Sequence, residues 1–436
     1  MSDPLLRIVS IDEIPTIRRD PVDRKTLDEA DRIVDAVRRE GAEAVGSYAR
    51  KFGDIEADQS LVVEPAELDD ALASLDVKRK DVLRRTAQRI RRFAVAQRNA
   101  LSEVEISIAG GVAGHRVIPV DRAGCYAPGG RFPLPSSVLM TAVTARAAGV
   151  DEVWLASPNP TAETLAAAAI ADVDGVLRVG GAQAIAALAY GIDGVPPCDA
   201  VVGPGNRWVT AAKQLVSGFV RIDMLAGPSE LVVLADESAK PATVAADLLA
   251  QAEHDVDALP ILVTTSKKLA QSVDAELAQQ LVDLSTAGTA LEALQNGFAV
   301  VVDDLQMGID VCNQLAPEHL EVLTQDAEQI AGRLRHFGGL FIGENAAEVL
   351  GDYGAGPNHT LPTGGTARFQ AGLSVFNFLK IATWMCVDDA EAASPLVEDA
   401  VALAEMEGLE GHARSAKARR VDVESDQNGR DDKNLD

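Results

Sequence analysis

The sequence predicts an α/β protein with two parallel sheets that are covered by helices. Short apolar strand candidates alternate with amphipathic helices between residues 117 and 202, and a second such series runs from 231 to 342. Alternation at these short intervals is typical of parallel strands joined by right-handed helical crossovers. The composition agrees, because aromatic residues make up only 4% of the chain and small aliphatic residues dominate covered parallel sheets.

The individual elements follow from hydrophobic periodicity. Residues 1–25 are expected to form a short extended arm and a turn. Two amphipathic helices are predicted next, over 23–50 and about 78–101. The predicted strands are 117–120, 152–156, 176–179, 200–202, 231–234, 261–263, 299–302 and 339–342, and the predicted helices among them include 136–148, 162–170, 247–255, 267–283 and 304–314. A last helix is expected near 390–408.

The chemical balance of the chain limits its partners and its location. At 436 residues, two or three domains are expected. A net charge of −26 argues against nucleic acid or an anionic membrane as the main partner, because both require a basic surface. No apolar stretch approaches the length of a membrane span or a signal peptide, and the four cysteines show no paired spacing. These features predict a cytoplasmic enzyme with reduced thiols.

Gln251 and His254 are the first candidates for a metal site. The spacing of i and i+3 places a carboxamide oxygen and an imidazole on one helix face, so both can reach the same ion. A mixed oxygen and nitrogen set suits an open metal site that still accepts a substrate. Surface or capping roles for these two residues are the alternative on this evidence alone.

Two further segments carry acid and base groups. Glu318 and His319 are adjacent after a proline, where both side chains can enter one cleft, so that one takes a proton while the other activates water. Asp352 and His359 lie in a loop rich in glycine and proline, which permits close approach to a ligand. A helix-terminal glutamate, an Asx-turn and a solvent-facing histidine are the structural alternatives.

Glycine turns follow two of the predicted strands, at 180–183 (GGAQ) and 203–206 (GPGN). Open α/β sheets bind nucleotides at such turns. Neither turn matches the G-x-G-x-x-G pattern, so this motif gives weak support for a dinucleotide. The residues therefore favour a metal-dependent α/β enzyme with acid and base groups, without naming the substrate.

Taken together, the motifs resemble those of the histidinol dehydrogenase family from about residue 25 to about 414. The matching segments are 124–130 (GCYAPGG), 180–185 (GGAQAI), 203–206 (GPGN), 226–230 (AGPSE), 247–254 (DLLAQAEH), 316–320 (APEHL), 356–363 (GPNHTLPT) and 407–412 (EGLEGH). The resemblance implies two Rossmann-like globules with parallel sheets, a small N-terminal helical arm and a C-terminal arm. The implied domains are an arm at 1–25, a metal-carrying α/β domain at 26–122 and 231–373, an NAD-binding α/β domain at 123–230, and an arm at 374–436 that contacts the other subunit. About 415–436 is expected to be disordered.

The same resemblance implies a set of site residues. It implies a zinc site formed by Gln251, His254 and Asp352, with His412 supplied by the other subunit of a homodimer. The substrate L-histidinol would be held by Ser229, His319, His359 and Glu407 in addition to the metal ligands. NAD contacts are implied at Tyr126, Gln183 and Asn206, and the catalytic pair would be Glu318 and His319.

The implied reaction is a four-electron oxidation of L-histidinol to L-histidine, the last step of histidine biosynthesis. His319 would remove the alcohol proton in the first oxidation. Glu318 would activate the water that hydrates the bound aldehyde, which makes a second hydride transfer feasible. Holding the aldehyde on the enzyme protects it from side reactions.

Three other functions remain open from the residues. They are a zinc hydrolase that uses Glu318 as its base, a binding protein without turnover, and a zinc-dependent dehydrogenase paralogue acting on another amino alcohol. A thiohemiacetal mechanism at Cys125 is a further alternative. It is disfavoured, because only Arg122 lies nearby in sequence to lower the pKa of the thiol.

Overall fold

The computed structural model describes residues 4–14, 21–129 and 133–421. The strands are β1 (Arg7–Val9), β2 (Val62–Val63), β3 (Val104–Ile108), β4 (Gly111–Pro119), β5 (Arg122–Tyr126), β6 (Glu152–Ala156), β7 (Gly175–Leu177), β8 (Ala200–Val202), β9 (Arg221–Ile222), β10 (Glu230–Ala235), β11 (Leu259–Thr264), β12 (Phe298–Val301), β13 (His319–Leu323), β14 (Gly339–Ile342) and β15 (Leu379–Val387).

The helices are α1 (Arg24–Glu40), α2 (Ala42–Phe52), α3 (Pro65–Ser74), α4 (Val77–Asn99), α5 (Pro135–Val138), α6 (Thr144–Ala148), α7 (Ala162–Ile170), α8 (Gly181–Tyr190), α9 (Arg207–Val216), α10 (Pro241–Ala252), α11 (Lys267–Gln280), α12 (Ala287–Asn296), α13 (Leu305–Leu315), α14 (Ala327–Ala331), α15 (Glu348–Asp352), α16 (Ser394–Met406) and α17 (Glu410–Lys417).

Sheet A is wholly parallel and has the strand order β1-β12-β11-β10-β13-β14. Its central strands β10, β11 and β13 are buried at every position, as expected for a sheet that is covered on both faces. Helices α10, α11 and α12 pack on one face, and α13 and α14 pack on the other. Because β10, β13 and β14 are parallel and in register, their first residues lie side by side at what we call the amino edge of sheet A.

Sheet B has the order β2-β7-β6-β5-β8-β9 and is parallel except for the short antiparallel pair β2–β7. Helices α1, α2, α8 and α9 form a core with one face of this sheet. The resemblance implies that residues 26–122 belong to the metal-carrying domain. In the structure, α1, α2 and β2, which belong to that range, pack on sheet B or pair with it.

The structure confirms the predicted α/β class, and a few elements differ from their predicted extents. The single helix expected over 23–50 is two helices, because Gly41 has φ +59° and ends α1 before α2 begins. The helix expected over 136–148 contains a π-helical turn at Leu139–Val143. His254 was expected inside a helix over 247–255, but α10 ends at Ala252, so His254 lies just beyond it.

The chain divides into two compact units, of which the first contains both parallel sheets and covers 1–100 and 119–379. The second unit covers 101–118 and 380–436. It is built on sheet C, with the order β15-β4-β3, and includes α16 and α17. Residues 101–118 are expected in the metal-carrying α/β domain from the resemblance, and β3 has no counterpart among the predicted strands.

The ends of the chain were expected to be an arm and a disordered tail. The N-terminal stretch contributes β1, which pairs with β12 as an edge strand of sheet A. Parts of those predictions lie outside the described residues, namely 1–3, 15–20 and 422–436. The beginning of the predicted tail, at 415–417, belongs to α17. Within the described ranges, no helix has both the length and the apolar character to cross a membrane.

Candidate active site at the amino edge of sheet A

Glu318 and His319 are both fixed by the backbone of one residue, Glu230, at the start of the neighbouring strand β10. The backbone N–H of Glu230 donates to Oε2 of Glu318 at 3.0 Å. The ring Nδ1 of His319 donates to the carbonyl oxygen of Glu230 at 3.1 Å. Adjacent side chains would normally point to opposite faces of a strand. Because His319 is the first residue of β13 and Glu318 precedes the strand, both enter the same buried space.

The hydrogen bond to Glu230 determines which nitrogen of His319 can act as a base. A carbonyl oxygen only accepts, so Nδ1 carries the proton and Nε2 carries the free lone pair. Nε2 is buried without a hydrogen-bond partner, and it lies 3.8 Å from Oδ1 of Asp352. Burial lowers the pKa of His319 to about 4 despite the nearby carboxylate of Asp352. The imidazole is therefore neutral near pH 7 and can take up a proton.

The carboxyl group of Glu318 is almost completely buried. Burial raises its pKa well above the usual value, and the hydrogen bonds from the Glu230 N–H and from Ser229 only partly oppose this shift. A carboxyl group with a raised pKa is suited to exchange protons during a reaction. Ser229, a predicted substrate contact, is thus close enough to Glu318 to hydrogen-bond with it.

His254 and Asp352 form the next pair at this edge. Nδ1 of His254 donates to the carbonyl oxygen of Ala250 at 2.9 Å, so the lone pair is on Nε2. Nε2 lies 3.7 Å from Oδ2 of Asp352. Interaction with this carboxylate raises the pKa of His254. Burial opposes ionisation of Asp352, but the adjacent ring of His254 and the other imidazoles nearby hold its pKa below the usual value.

Glu348 also belongs to this cluster, although it is not among the predicted site residues. Ligand atoms of His254, Glu348 and Asp352 all lie within 4.8 Å of one another. Both carboxylate oxygens of Glu348 are buried without a hydrogen-bond partner, and Oε1 lies 3.6 Å from Nδ1 of His319. Glu348 and Asp352 are four residues apart on α15, so their i, i+4 spacing was a readable signal of a shared helix face.

Gln251 provides the test of whether these residues fit a metal ion. It is fully buried in the last turn of α10, three residues before His254, and neither its amide oxygen nor its amide nitrogen has a partner. An amide buried in this state costs about 1–3 kcal/mol unless a ligand satisfies it. The donor set of one amide, one imidazole and carboxylate oxygens suits a divalent ion with an open shell. The residues therefore fit the expected zinc.

His359 joins the cluster from the glycine-rich loop. Its Nδ1 donates to the backbone carbonyl of Asp352 at 3.1 Å, and its Nε2 accepts a hydrogen bond from the Ser137 hydroxyl at 3.2 Å. Burial lowers the pKa of His359, so the ring is neutral near pH 7. Ser137 precedes the π-helical turn of the sheet B region, and it was not predicted, because a lone serine carries no sequence signal.

The other two residues predicted to bind the metal or the substrate are Glu407 and His412, and they lie in the second unit. They line the same surface depression of about 330 Å³ between α16 and α17. Both side chains are exposed. The structure thus brings these two residues together within their own unit, and it brings Ser229, Gln251, His254, Glu318, His319, Asp352 and His359 together at the amino edge of sheet A.

The predicted nucleotide contacts line a different cavity. Tyr126, Gln183 and Asn206 all border a space of about 690 Å³ at the carboxyl ends of the sheet B strands. Asn206 caps α9 by accepting from the N–H groups of Trp208 and Val209. The walls contributed by α1 and α2 were not predicted, because their amphipathic pattern indicates packing and gives no sign of a cavity.

A buried ion pair supports one of the two glycine turns beside this cavity. Lys213 and Asp223 lie 2.5 Å apart and are both nearly inaccessible. Asp223 accepts from the backbone N–H of Gly203, and Lys213 donates to the carbonyl oxygen of the same residue. The pair therefore holds the backbone of Gly203 in place, in the turn that leads to Asn206 and α9.

Cys125 is unsuited to nucleophilic chemistry. It is fully buried in β5, and burial raises the pKa of its thiol to about 12. A thiol with that pKa is protonated at neutral pH, whereas the thiolate is the nucleophile. Together with Cys198, Cys312 and Cys386 it is a free cysteine.

Comparison with known proteins places this geometry in a family. The sequence model described as histidinol dehydrogenase matches residues 17–420. A histidinol dehydrogenase of Geobacillus kaustophilus (strain HTA426) is 45% identical over 393 residues, covering 89% of this chain and 92% of the relative. One of Heliobacterium mobile is 44% identical over 411 residues, with 91% and 95% covered. The crystal structure of histidinol dehydrogenase from Elizabethkingia anophelis superposes with a TM-score of 0.89 at 31% identity, covering 96% of this chain and 99% of that one. The chain therefore belongs to the histidinol dehydrogenase family, a family of NAD-dependent oxidoreductases.

Proposed function

We propose that the chain oxidises L-histidinol to L-histidine in two NAD-dependent steps at a zinc site, the last step of histidine biosynthesis. The observation that carries the proposal is the buried cluster at the amino edge of sheet A. There a neutral imidazole, a glutamate of raised pKa and an unsatisfied amide surround the pair His254 and Asp352. Buried polar atoms without partners are rare in folded proteins, and they point to a polar ligand.

His319 is the proposed base of the first oxidation. Its Nε2 is the free acceptor, since Nδ1 is committed to the carbonyl of Glu230. The low pKa of the ring ensures that Nε2 is unprotonated when the substrate hydroxyl arrives. Removal of the hydroxyl proton by His319 accompanies loss of hydride from the carbon and gives the aldehyde.

Glu318 is the proposed base for hydration of the aldehyde. An aldehyde has no hydroxyl to deprotonate, so water must add before a second hydride can leave. Glu318 accepts a proton from that water, and the resulting gem-diol can lose hydride as the alcohol did. Over the whole reaction, histidinol and water lose two hydrides and three protons and yield the carboxylate of histidine.

Zinc would be held by Gln251, His254 and Asp352, and by His412 of the partner subunit. When bound, zinc would supply positive charge that orients the imidazole and amine groups of histidinol. His254 is prepared for this role, because its hydrogen bond to the Ala250 carbonyl directs Nε2 toward Asp352. His359 and Glu407 would recognise the polar groups of the substrate.

A homodimer is part of the proposal, because the family resemblance implies that His412 completes the site of the other subunit. The second unit exposes several large apolar side chains, as an association surface does. They are Ile106, Ile381, Met385, Leu403 and Met406. We propose that contact through this unit brings Glu407 and His412 of each chain to the site of the other.

The cavity beside sheet B is the proposed NAD site. It contains Tyr126, Gln183 and Asn206, and its volume of about 690 Å³ accommodates a dinucleotide. Bound NAD would accept the two hydrides. The four free thiols fit a reducing compartment, so we propose that the reaction takes place in the cytoplasm.

The test is the stoichiometry of the reaction. The purified protein is incubated with L-histidinol and NAD, and NADH and histidine are counted before and after removal of the metal by a chelator. We expect two NADH per histidine, loss of turnover on chelation, and recovery with added zinc. L-Leucinol is the matched control, because it has the amino alcohol without the imidazole. NADH formation from leucinol at a similar rate, or histidinol binding without NADH, would contradict the proposal.

A further inference from the structure

Asp54 occupies a special position at the edge of the proposed nucleotide cavity. Helix α2 ends at Phe52, and Gly53 adopts φ +77°, the left-handed conformation that closes a helix. The chain then turns back, and the N–H of Asp54 donates to the carbonyl of Ala49 at 2.8 Å. As a result of this turn, Asp54 lies in the wall of the cavity beside sheet B.

One oxygen of Asp54 accepts two hydrogen bonds from the glycine turn after β7. Oδ2 accepts from the backbone N–H of Gly180 at 2.9 Å and from Nε2 of Gln183 at 3.4 Å. The side chain is only 8% exposed. Burial raises the pKa of Asp54, and the bonds from Gly180 and Gln183 oppose that shift. These two hydrogen bonds therefore stabilise the charged form of the Asp54 carboxyl group.

Asp223, at the second glycine turn, has a purely structural role and serves as a comparison for Asp54. Asp223 accepts from the N–H of Gly203, and its charge is neutralised by Lys213 at 2.5 Å. Among the described residues, no lysine or arginine forms an ion pair with Asp54. Its partner besides Gly180 is instead the side chain of Gln183, which itself borders the cavity.

The bond to Asp54 fixes the orientation of the Gln183 amide. A carboxylate only accepts, so the NH2 end of Gln183 must face Asp54. Oε1 has no hydrogen-bond partner within the described part of the chain and is left for a ligand. On the same turn, the Tyr126 oxygen accepts from the N–H of Gly181 at 3.3 Å, which leaves its hydroxyl proton free to donate. Burial raises the pKa of Tyr126 to about 12, so that proton is retained at neutral pH.

We propose that Asp54 is a positioning residue for nucleotide binding, holding the Gly180 turn and the Gln183 amide so that an acceptor and a donor face the cofactor. The inference rests on the proposed function, since the ligand is the NAD of that reaction. Asp54 acts on affinity for the nucleotide and has no part in the metal site or in the proton transfers.

The experiment compares Asp54→Ala, Asp54→Asn and the surface control Asp58→Ala. We expect Asp54→Ala to raise the KM for NAD about tenfold, as loss of a charge-assisted hydrogen bond would, with the kcat, the KM for histidinol and the zinc content unchanged. Asp54→Asn should recover most of the affinity, because its amide oxygen can still accept both bonds. Asp58, four residues further along and exposed, should have no effect. If Asp54→Ala unfolds, Asp54→Leu replaces it, because leucine fills the same space.

Direct binding separates this inference from the proposed function. Trp208 borders the cavity, so its fluorescence should report NADH binding to the zinc-loaded protein. Absence of an NADH signal in the wild type would contradict the proposed NAD site. A normal wild-type signal with equal affinity in Asp54→Ala would overturn only the positioning role. The double variant Asp54→Ala with Gln183→Ala should bind about as weakly as the weaker single variant, since both changes disrupt one unit. Fully additive losses would also contradict the inference.

Discussion

The buried Glu321 and the half-buried Asp247 form an acid pair next to the active site, and the protonation of Glu321 is expected to affect the stability of the fold. Glu321 is fully buried in β13, where Oε1 accepts from the backbone N–H of Glu348 at 2.7 Å and Oε2 has no hydrogen-bond partner of normal geometry among the described residues. Burial, together with the negative charge of Asp247, raises the pKa of Glu321 to about 8. We predict that Glu321→Gln stabilises the metal-free protein at pH 8.

The sign and size of the expected change in unfolding free energy follow from proton linkage. Below pH 4.5 the carboxyl group of Glu321 is protonated in both the folded and the unfolded chain, so no stability is lost. As the pH rises toward 8, the unfolded chain releases the proton while the folded chain retains it, which favours unfolding. A pKa raised from 4.5 to about 8 corresponds to at most about 4–5 kcal/mol. Because Asp247 shares the proton, part of this cost remains in the variant, and we expect a gain of about 2 kcal/mol.

The assay is urea denaturation of the chelated protein followed by circular dichroism at pH 5 and pH 8. The difference in unfolding free energy between Glu321→Gln and wild type should be small at pH 5 and about 2 kcal/mol at pH 8. Glu237→Gln is the matched control, because Glu237 is an exposed acid just after β10, and it should show no such dependence. A variant that is equally or less stable than wild type at pH 8 would refute the assignment of the proton to Glu321.

Three further predictions concern the site and its supports. His319→Asn should lower the kcat for both histidinol and histidinaldehyde at least about 100-fold. Glu318→Gln should slow mainly the aldehyde step, as measured with each of the two substrates in turn. Equal losses with both substrates in the Glu318 variant would disprove the division of roles. Gln251→Leu should reduce zinc content in metal analysis while stabilising the chelated protein by about 1–2 kcal/mol, because it removes unsatisfied buried polar atoms. Lys213→Met should destabilise the protein by about 3 kcal/mol in urea denaturation, because it leaves Asp223 buried without its counter-charge; an unchanged midpoint would show that the pair is dispensable.

The parallel sheets were predictable because their signal is local. Continuous apolar runs such as 231–234 and 261–263 can only be strands covered on both faces or buried helices, and the intervening amphipathic segments decide between these. Sheet C lacked that signal. Every residue of β3 is exposed or half-buried, so its sequence carries no apolar run. The third strand of the sheet, β15, pairs with β4 and begins about 260 residues further along the chain. Pairing between such distant segments cannot be read from hydrophobic periodicity.

The site was predictable in its chemistry and less so in its supports. Histidines, a glutamine and acids in glycine-rich segments indicated reactive groups, and the structure brings those of the first unit together. Glu348 could have been recognised from its spacing to Asp352. Asp54 could not, because its function depends on a tertiary contact with Gln183 across 129 positions of sequence. Residues that orient others through the backbone carry no motif of their own.

The two sheets place their polar groups at opposite ends of the strands, and this difference has a physical reason. The proposed nucleotide cavity lies at the carboxyl ends of sheet B, where helices begin and their N–H groups face a ligand. The acid and base groups lie instead at the amino edge of sheet A, where α10 ends and its positive pole is remote. An edge of this kind offers backbone carbonyls, and the carbonyls of Glu230, Ala250 and Asp352 each accept a hydrogen bond from Nδ1 of a histidine. In the neutral form of each ring the lone pair is thereby on Nε2, which is the form required to bind a cation or remove a proton, and in His359 this nitrogen accepts from Ser137. The amino edge therefore favours a site for a metal ion and a general base, while the carboxyl edge of the other sheet favours an anionic cofactor.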